Sequence, residues 1–447
     1  MRILKAYQKH LTHYHLVFDV DAIQAAQNAL ECVFEAKKGE SIVIFCDDSR
    51  VQIGKAFEAG ARNLQLDTKL LVLKTEPLVF RKEIPAELKK YLTIDRPKIY
   101  INLMRGIREE TPFRIKLIHL EANDKKTRLG HCPGVTMDML TEGALALTAE
   151  EHRRMQSFAK MFMEKLGQAA KVEIKTPAGS KLCLSVKRRS FITDTMLDWE
   201  HPKWMNLPTG EVYVAPVEDS LEGKLVCDLA VGGIGLLREP ITLKVKGGNV
   251  DAATSDSAEV LRKVQESLHT DAMAKVVGEF AFGINPRARI VDEFLETEKT
   301  LGTVHIAFGD NTDFPGGKNN SANHMDLMMN KPTVNVTYED GSVKTVLLNG
   351  VFQIDKPEEQ PEEKLPISSV YKVLDYVTVF KTDLWWEAVV VFETYGKRQL
   401  GLYLWQKRKG VWKRKNKFGI RNSDEWSRLK AIVEKLAPML ASDLPRS

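Results

Sequence analysis

The chain has few cysteines and no long apolar run. Its five cysteines, among 447 residues, are scattered without a C-x-x-C pair, which argues against a disulfide framework and against a thiolate zinc site. No apolar run reaches the roughly 18 residues that a membrane-spanning helix requires. The opening stretch MRILKAYQKHLTHYH lacks the apolar centre of a signal peptide. We therefore expect a cytoplasmic protein that does not contact a membrane.

A glycine-rich nucleotide-binding motif is also missing. SIVIFCDDSR predicts a strand, VQIGKAFEAGARN predicts a helix, and KLLVLK and KIYINLMR continue the pattern. Strands that alternate with helices predict a parallel sheet covered by helices. Because no G-x-G-x-x-G follows the first strand, the pattern does not favour a dinucleotide site. We predict an α/β domain with a parallel sheet over residues 1–171.

The pattern changes after the run TAEEHRRMQSFAKMFMEKLGQA, which predicts one long amphipathic helix with its Met and Phe side chains in the core. Strands and turns then follow in KVEIKTPAGSKLCLSVK, GKLVCDLAVGG, PITLKVKGGNV and KPTVNVTYEDGSVKTVLLNGVF. One predicted helix, SAEVLRKVQESLHTDAMAK, interrupts them. We predict a β-rich α+β domain over residues 172–353.

Basic charge is concentrated near the end of the chain. The whole sequence has a formal net charge of +5, whereas residues 381–421 alone contain eleven basic and three acidic residues. This part follows IDKPEEQPEEKLP, which has too little apolar content to pack. We predict a linker at residues 354–366 and a small basic module at 367–447.

The sequence of the basic module predicts a sheet followed by a helix. VYKVLDYVTVF, WWEAVVVFETY, QLGLYLWQKR and VWKRKNKFGIR predict four strands, and SDEWSRLKAIVEKLAPML predicts a helix with a Ser N-cap. Aromatic residues between lysines and arginines are typical of single-strand nucleic-acid surfaces, although aromatics in strands also form cores and basic edge strands also prevent aggregation. The predicted nucleic-acid contacts are Lys413, Arg414, Lys415, Trp405 and Trp412.

Five acidic and imidazole side chains lie in apolar segments of the β-rich domain. Glu211 follows a Pro-Thr-Gly turn, Glu279 lies in VVGEFAFGINP, and His305, His324 and Asp326 lie in GTVHIAFGDNTDFPGGKNNSANHMDLMM. A buried charge requires a partner, a proton or a cation. Singly, each residue fits a turn, a salt bridge or a core histidine. Together they predict a metal site, and their oxygen and nitrogen donors suit zinc, manganese, cobalt or ferrous iron.

The same motifs resemble the thermophilic-type metallo-aminopeptidases of peptidase family M29. The resemblance rests on NLPTGEV, GEFAFG, the histidine of GTVHIAFG, the H-x-D of NHMDLMM and the earlier TRLGHCPGVTMDML. It implies two divalent metals (zinc, cobalt or manganese), removal of N-terminal residues from peptides by metal-activated water, and Glu279 as the catalytic proton relay. For the last carboxylate, Glu296 is the alternative to Glu298. The implied ligands are Glu211, Glu279, Glu298, His305, His324 and Asp326.

One position departs from that family. The peptidases have an oxyanion-stabilising tyrosine seven residues after the histidine that corresponds to His305, and this chain has Thr312 there. A threonine side chain is too short to deliver the same hydrogen bond.

A second resemblance is to the 2,5-dihydroxypyridine ring-cleaving dioxygenases, which hold one ferrous iron. It rests on GDNTDFPGGK with the following H-x-D and on PTGEVYVAPVEDSLEGKLVCD. Their first iron histidine corresponds to Glu279 here, so a facial triad would need His305, His324 and Asp326 instead.

In the C-terminal module, the segment from WEAVVVFE through KNKFGIRNSDEWSRLK weakly resembles the single-strand DNA-binding coactivators of the positive cofactor four class. This resemblance implies a homodimer and single-stranded nucleic acid as a partner. The sequence thus favours an aminopeptidase-like hydrolase acting on small peptides. The alternatives are a dioxygenase acting on a small molecule and a non-catalytic binding protein with a nucleic-acid-binding C-terminal module.

Overall fold

The structure is a computed structural model in which the chain divides into two compact units, residues 1–355 and 356–447. Most of the predicted linker lies outside the described residues, as does the end of the last predicted helix. None of the helices in the described part of the chain is long and apolar enough to cross a membrane. The described residues are 21–123, 126–198, 203–353, 365–368, 370–382, 384–408 and 410–436.

The first unit begins with the predicted α/β architecture. Five parallel strands form one sheet in the order β2-β1-β3-β4-β8. Strand β8 lies within the segment predicted as β-rich, yet it pairs with β4 and completes this parallel sheet. A four-residue strand carries little periodicity, so its partner cannot be read from its own sequence. The strands are β1 (Ser41–Asp47), β2 (Asp67–Leu73), β3 (Ile99–Leu103), β4 (Arg128–His131) and β8 (Lys203–Asn206).

Helices cover both faces of this sheet because its central strands are apolar on both sides. All five residues of β3 are buried. Phe57 packs in the cluster on one face and Phe113 in the cluster on the other. The helices before the long one are α1 (Ala22–Cys32), α2 (Val51–Asn63), α3 (Ala86–Thr93), α4 (Thr111–Glu121) and α5 (Met137–Thr141).

The long helix predicted after residue 148 is confirmed as α6, Ala149–Leu166. Thr148 caps it in a capping box with Glu151, which satisfies backbone N–H groups of the first turn. Phe158 and Phe162 are buried in a core that also contains residues of two antiparallel sheets. The helix therefore closes the core of the β-rich part.

The two antiparallel sheets hold the rest of this unit. The first runs β14-β13-β10-β6-β5-β18-β19-β20 and the second β12-β11-β17-β16-β15-β9-β7. The eight strands of the first are β5 (Ala169–Lys175), β6 (Lys181–Ser185), β10 (Glu222–Cys227), β13 (Ile241–Lys246), β14 (Asn249–Ser255), β18 (Thr333–Tyr338), β19 (Val343–Leu348) and β20 (Val351–Phe352). The seven of the second are β7 (Ile192–Thr193), β9 (Glu211–Val214), β11 (Ala230–Val231), β12 (Gly235–Leu236), β15 (Val277–Gly283), β16 (Val304–Gly309) and β17 (His324–Met329). Two helices accompany them, α7 (Ala258–Leu268) and α8 (Phe294–Thr297).

The second unit contains a small antiparallel sheet and a helix. The four strands follow one another in space as they do in the chain, β21-β22-β23-β24, and their core contains Trp386, Phe392, Tyr403 and Trp405. The elements are β21 (Lys372–Lys381), β22 (Trp385–Thr394), β23 (Lys397–Arg408), β24 (Val411–Ile420) and α9 (Ser423–Leu436).

Candidate metal centre

One face of the seven-stranded sheet carries all five residues predicted from the apolar segments. Alternate residues of a strand point to opposite faces, so each of β9, β15, β16 and β17 has one apolar and one functional face. Core residues such as Val212, Phe280, Ile306 and Leu327 occupy the first face. The residues on the opposite face include Glu211, Tyr213, Glu279, Ala281, His305, Ala307, His324 and Asp326.

Strand register brings these residues side by side. Glu279 pairs with Ala307, which pairs with Asp326, and one row further along Ala281 pairs with His305. The two alanines extend no further than a methyl group, so the long acidic and imidazole side chains around them meet above the sheet. A β-bulge between Val277 and Glu279 sets the position of Glu279 in its row.

The donor atoms form two overlapping groups. Glu211, Glu279 and His305 make one, and Glu279, His324 and Asp326 make the other, with the donor atoms of each group within 4.8 Å of one another. His305 Nε2 lies 3.8 Å from Glu211 Oε2, 3.6 Å from Glu279 Oε1 and 3.7 Å from Asp326 Oδ1. Glu279 thus belongs to both groups.

These distances fit a cation better than direct hydrogen bonds. Three contacts of His305 Nε2 are longer than 3.5 Å, and Glu211 Oε2 is buried with no hydrogen-bond partner in the described part of the chain. Two ligands on a tetrahedral zinc ion with bonds of about 2.1 Å stand about 3.4 Å apart. The residues present therefore fit a divalent metal.

Lys299 is a central residue of the site that the sequence did not reveal. Its side chain is 1% exposed, its Nζ lies 3.2 Å from Asp194 Oδ2 and 3.0 Å from Glu298 Oε1, and it also pairs with Glu211. Asp194 Oδ1 in turn accepts the backbone N–H groups of Gly210 and Glu211 at 2.9 Å. Lys299 and Asp194 thus fix the turn that carries Glu211.

The structure separates the two alternatives for the last carboxylate. Glu298 lies beside Lys299, and its pKa is raised by burial, with the negative charge of Asp326 adding to the effect. Glu296 instead accepts N–H groups from Arg289 and from the backbone of Ala144. Glu296 is therefore already paired, and of the two only Glu298 lies in the cluster.

The cluster has a large excess of negative charge. Five carboxylates face one lysine, which leaves a net charge of about −4 when all carboxylates are ionised and the histidines are neutral. Two divalent cations would balance this charge. The charged members are Asp194, Glu211, Glu279, Glu298, Lys299 and Asp326.

The protonation equilibria reflect this crowding. Burial, with neighbouring carboxylates, raises the pKa of Glu211 to about 8, although the Lys299 charge opposes the shift. Burial also opposes ionisation of Glu279, but the nearby imidazole groups of His305 and His324 outweigh it and lower its pKa to about 2. Burial disfavours the charged form of His305, yet Glu279 and Asp326 raise its pKa to about 9. In the absence of a cation, protons and imidazolium groups balance the carboxylates.

The loop after β16 orients His324. The Nδ1 atom of His324 is 2.8 Å from the backbone oxygen of Asp310, so this nitrogen carries the proton and Nε2 is left as the metal-facing donor. The Nε2 atom lies 3.2 Å from Glu279 Oε2 and 3.4 Å from Asp326 Oδ1. The ring of Phe314 packs edge-on against His324, at 6.2 Å between centroids.

In the C-terminal unit, the predicted nucleic-acid residues divide by exposure. Lys413, Arg414 and Lys415 on β24 are exposed. Trp405 is 0% exposed and packs against Trp386 and Tyr403, so it has no free face for a base. Trp412 is half-buried against the same core. The tryptophans alternate with basic residues because one face of β23 and β24 packs into the core and the other is exposed. The prediction that Trp405 contacts nucleic acid is therefore wrong, since its ring is part of the core.

Comparison with known proteins agrees with the resemblance found in the sequence. Residues 146–352 match the family model of the thermophilic metalloprotease (M29). The chain is also 27% identical over 231 residues to the 2,5-dihydroxypyridine 5,6-dioxygenase of Pseudomonas putida. That match covers 48% of this chain and 62% of the relative, so it spans less than two thirds of the dioxygenase.

Two solved structures share the fold. The 2,5-dihydroxypyridine dioxygenase of Pseudomonas putida KT2440 superposes with a TM-score of 0.56 at 19% identity, over 76% of this chain and 99% of its own. AmpT of Thermus thermophilus also gives a TM-score of 0.56, at 16% identity, over 74% of this chain and 99% of its own. Both solved structures therefore share the fold of about three quarters of this chain.

Proposed function

We propose that the protein is a metal-dependent, aminopeptidase-like hydrolase that removes N-terminal residues from small peptides. The observation that carries this proposal is the pair of donor groups on one sheet face that share Glu279. Two adjacent cation positions joined by one carboxylate suit two-metal hydrolysis. The M29 match over the same segment supports the choice.

The positions of the side chains suggest which residues bind metal and which residue transfers a proton. Bound zinc, cobalt or manganese would supply a hydroxide near neutral pH and polarise the scissile carbonyl. Glu211, Glu279, Glu298, His305, His324 and Asp326 would hold these ions. Glu279 also faces the space between both donor groups, where its carboxylate can take a proton from the attacking water.

The same acidic surroundings favour substrates with a free amino terminus. Lys299 holds Glu211 and Glu298 in place, while the only cationic partners of Asp326 among the described residues are the two histidines. A protonated terminal amine would donate a charge-assisted hydrogen bond to such a carboxylate.

Ring-cleaving dioxygenase activity is the second proposal, because the dioxygenase matches both in sequence and in fold. His305, His324 and Asp326 would then hold one ferrous iron; His305 Nε2 and His324 Nε2 lie 3.7 and 3.4 Å from Asp326 Oδ1. This arrangement leaves Glu211, Glu298 and Lys299 without a role at the metal, which is why we favour hydrolysis.

Assays of stripped protein reconstituted with cobalt, manganese, zinc or ferrous iron separate the two reactions. We expect amino-acid p-nitroanilides to be cleaved with one of the first three metals, and Glu211→Gln to lose activity while the exposed control Glu339→Gln keeps it. Oxygen uptake with a dihydroxylated pyridine and iron, without p-nitroanilide cleavage, would favour the dioxygenase. Inactivity in both assays would favour a binding protein.

For the C-terminal module we propose single-stranded nucleic acid as a partner, bound through the exposed Lys413, Arg414 and Lys415. Location in the cytoplasm and assembly as a homodimer stay predictions from the sequence.

A further inference from the structure

At the position where the M29 peptidases have an oxyanion-stabilising tyrosine, this chain has a residue whose hydroxyl is already engaged in a hydrogen bond. Thr312 stands there, and its hydroxyl lies 3.2 and 3.0 Å from the two carboxylate oxygens of Asp310. The hydroxyl proton is thus directed to a carboxylate of its own loop. If the site stabilises an oxyanion with a side-chain hydroxyl, another residue must supply it.

Tyr213 lies on the metal face of the sheet, two residues after Glu211 on β9. Its Cα partner on β15 is Ala281, and the partner of Ala281 on β16 is His305. Tyr213 and His305 therefore lie in one cross-strand row, with Cα atoms about 10 Å apart across two strand spacings. In that row, the only side chain between them is the methyl group of Ala281.

The ring of Tyr213 is held by the loop that also orients His324. It packs against Phe314 at 5.0 Å between centroids, and Phe314 contacts the ring of His324. Tyr213 also shares its sheet face with Glu211 on its own strand and with Glu279 on the neighbouring strand β15. Its hydroxyl has no hydrogen-bond partner among the described residues, and the side chain is half-buried. A donor of this kind is available to a substrate.

We propose that Tyr213 donates its phenolic hydrogen bond to the oxyanion that forms on the scissile carbonyl. This role rests on the proposed hydrolysis. The water oxygen bonds to the carbonyl carbon, the water proton passes to Glu279, and the carbonyl π electrons become the charge on the oxygen that Tyr213 binds. A lone pair of the oxyanion then re-forms the carbonyl, the bonding pair of the carbon–nitrogen bond leaves with the nitrogen, and the departing amine takes the proton from Glu279. Tyr213 thus replaces the donor that Thr312 cannot supply.

The variant Tyr213→Phe removes only the hydroxyl and keeps the ring against Phe314. We expect kcat for a p-nitroanilide to fall about a hundredfold, since one oxyanion donor contributes about that factor, while KM and bound metal stay within twofold. The matched control Tyr395→Phe, at a side chain 94% exposed in the other unit, should leave all three unchanged. A kcat within twofold of the parent in Tyr213→Phe would overturn the proposal.

A binding measurement tests the role without turnover. The phosphonic acid analogue of leucine carries a tetrahedral anion in place of the reacting carboxyl carbon, whereas leucine itself is planar there. We expect Tyr213→Phe to weaken phosphonate binding at least tenfold, measured by calorimetry on the metal-loaded protein, and to change leucine binding by less than twofold. Equal weakening of both ligands, or of neither, would overturn the proposal.

These outcomes are distinguishable from failure of the proposed function. If the parent protein cleaves no p-nitroanilide with any metal, hydrolysis fails, but the ratio of phosphonate to leucine affinity still tests the donor role of Tyr213. The double variant Tyr213→Phe with Thr312→Tyr adds a rescue. Recovery of at least tenfold in kcat or in phosphonate affinity supports an oxyanion role, and a merely structural role predicts no recovery.

Discussion

Glu279 Oε2 lies 3.2 Å from His324 Nε2, while the other oxygen of the same carboxylate faces His305 Nε2 at 3.6 Å. Glu279 is thus the one residue common to both donor groups. Replacing it removes a ligand from each cation position and also removes the proposed proton acceptor.

Glu279→Gln should therefore lower kcat for p-nitroanilides by at least about a hundredfold, because loss of a positioned acid–base group costs that much or more. Bound metal, measured by elemental analysis, should fall in the same variant. The control is Glu339→Gln, which removes an exposed carboxylate directly after β18 of the eight-stranded sheet. Parental activity in Glu279→Gln would contradict its role.

Lys299→Met should destabilise the protein strongly. It removes the lysine that pairs with Asp194, Glu211 and Glu298 and so leaves these buried carboxylates without the ammonium group that neutralises them. Breaking buried pairs in this way costs about 3–5 kcal/mol in the free energy of unfolding. Urea denaturation of metal-free protein measures the change, with the exposed Lys160→Met as the control. A loss below about 1 kcal/mol would show that Lys299 does not neutralise the cluster.

Much of the site was predictable because strand alternation is local. The i, i+2 spacing of His324 and Asp326, and the apolar neighbours of Glu211, Glu279 and His305, follow from the sequence and place each donor on one face of its strand. The long helix α6 was equally accessible, since its period and its Thr148 cap lie in one continuous segment.

The rest depends on pairing between distant segments. Asp194 and Lys299 are 105 residues apart and form part of the site only because β7, β9 and the turn after α8 meet in the fold. The choice of Glu298 over Glu296 likewise depends on Arg289 and on the backbone of Ala144. In the C-terminal unit, the alternation of aromatic and basic residues along the strands predicted two different faces. It did not predict that the aromatic face, with Trp405, would be the buried one.

His152 gives the protein a pH dependence away from the metal centre. This side chain on α6 is 1% exposed, neither ring nitrogen has a hydrogen-bond partner among the residues that the structure describes, and burial lowers its pKa to about 4. The unfolded chain binds a proton near the ordinary pKa of about 6.5, whereas the folded protein does not. Stability is thus full above pH 6.5 and falls as the pH drops toward 4.

The variant His152→Leu isolates that contribution. As the pH falls from 7 to 4, the parent should lose about 3 kcal/mol more of its free energy of unfolding than the variant does. Urea denaturation at several pH values measures it. A difference that stays constant across this range would show that His152 titrates alike in both states.

Binding of nucleic acid by the C-terminal module should be electrostatic. The affinity of the full chain for a fluorescent single-stranded oligonucleotide should fall at least tenfold between 50 and 200 mM salt, since each neutralised phosphate releases a counterion. Replacing Lys413, Arg414 and Lys415 together by Glu should abolish binding. Salt-independent affinity, or unchanged affinity in that triple variant, would remove nucleic acid from the list of partners.

The account depends most on the claim that the donors on the seven-stranded sheet bind two cations together. Elemental analysis of stripped protein reloaded with zinc or manganese and then desalted tests it directly. We predict two metal equivalents per chain in the parent and less than one in Glu279→Gln. No retained metal in the parent, or equal metal content in both proteins, would contradict the account.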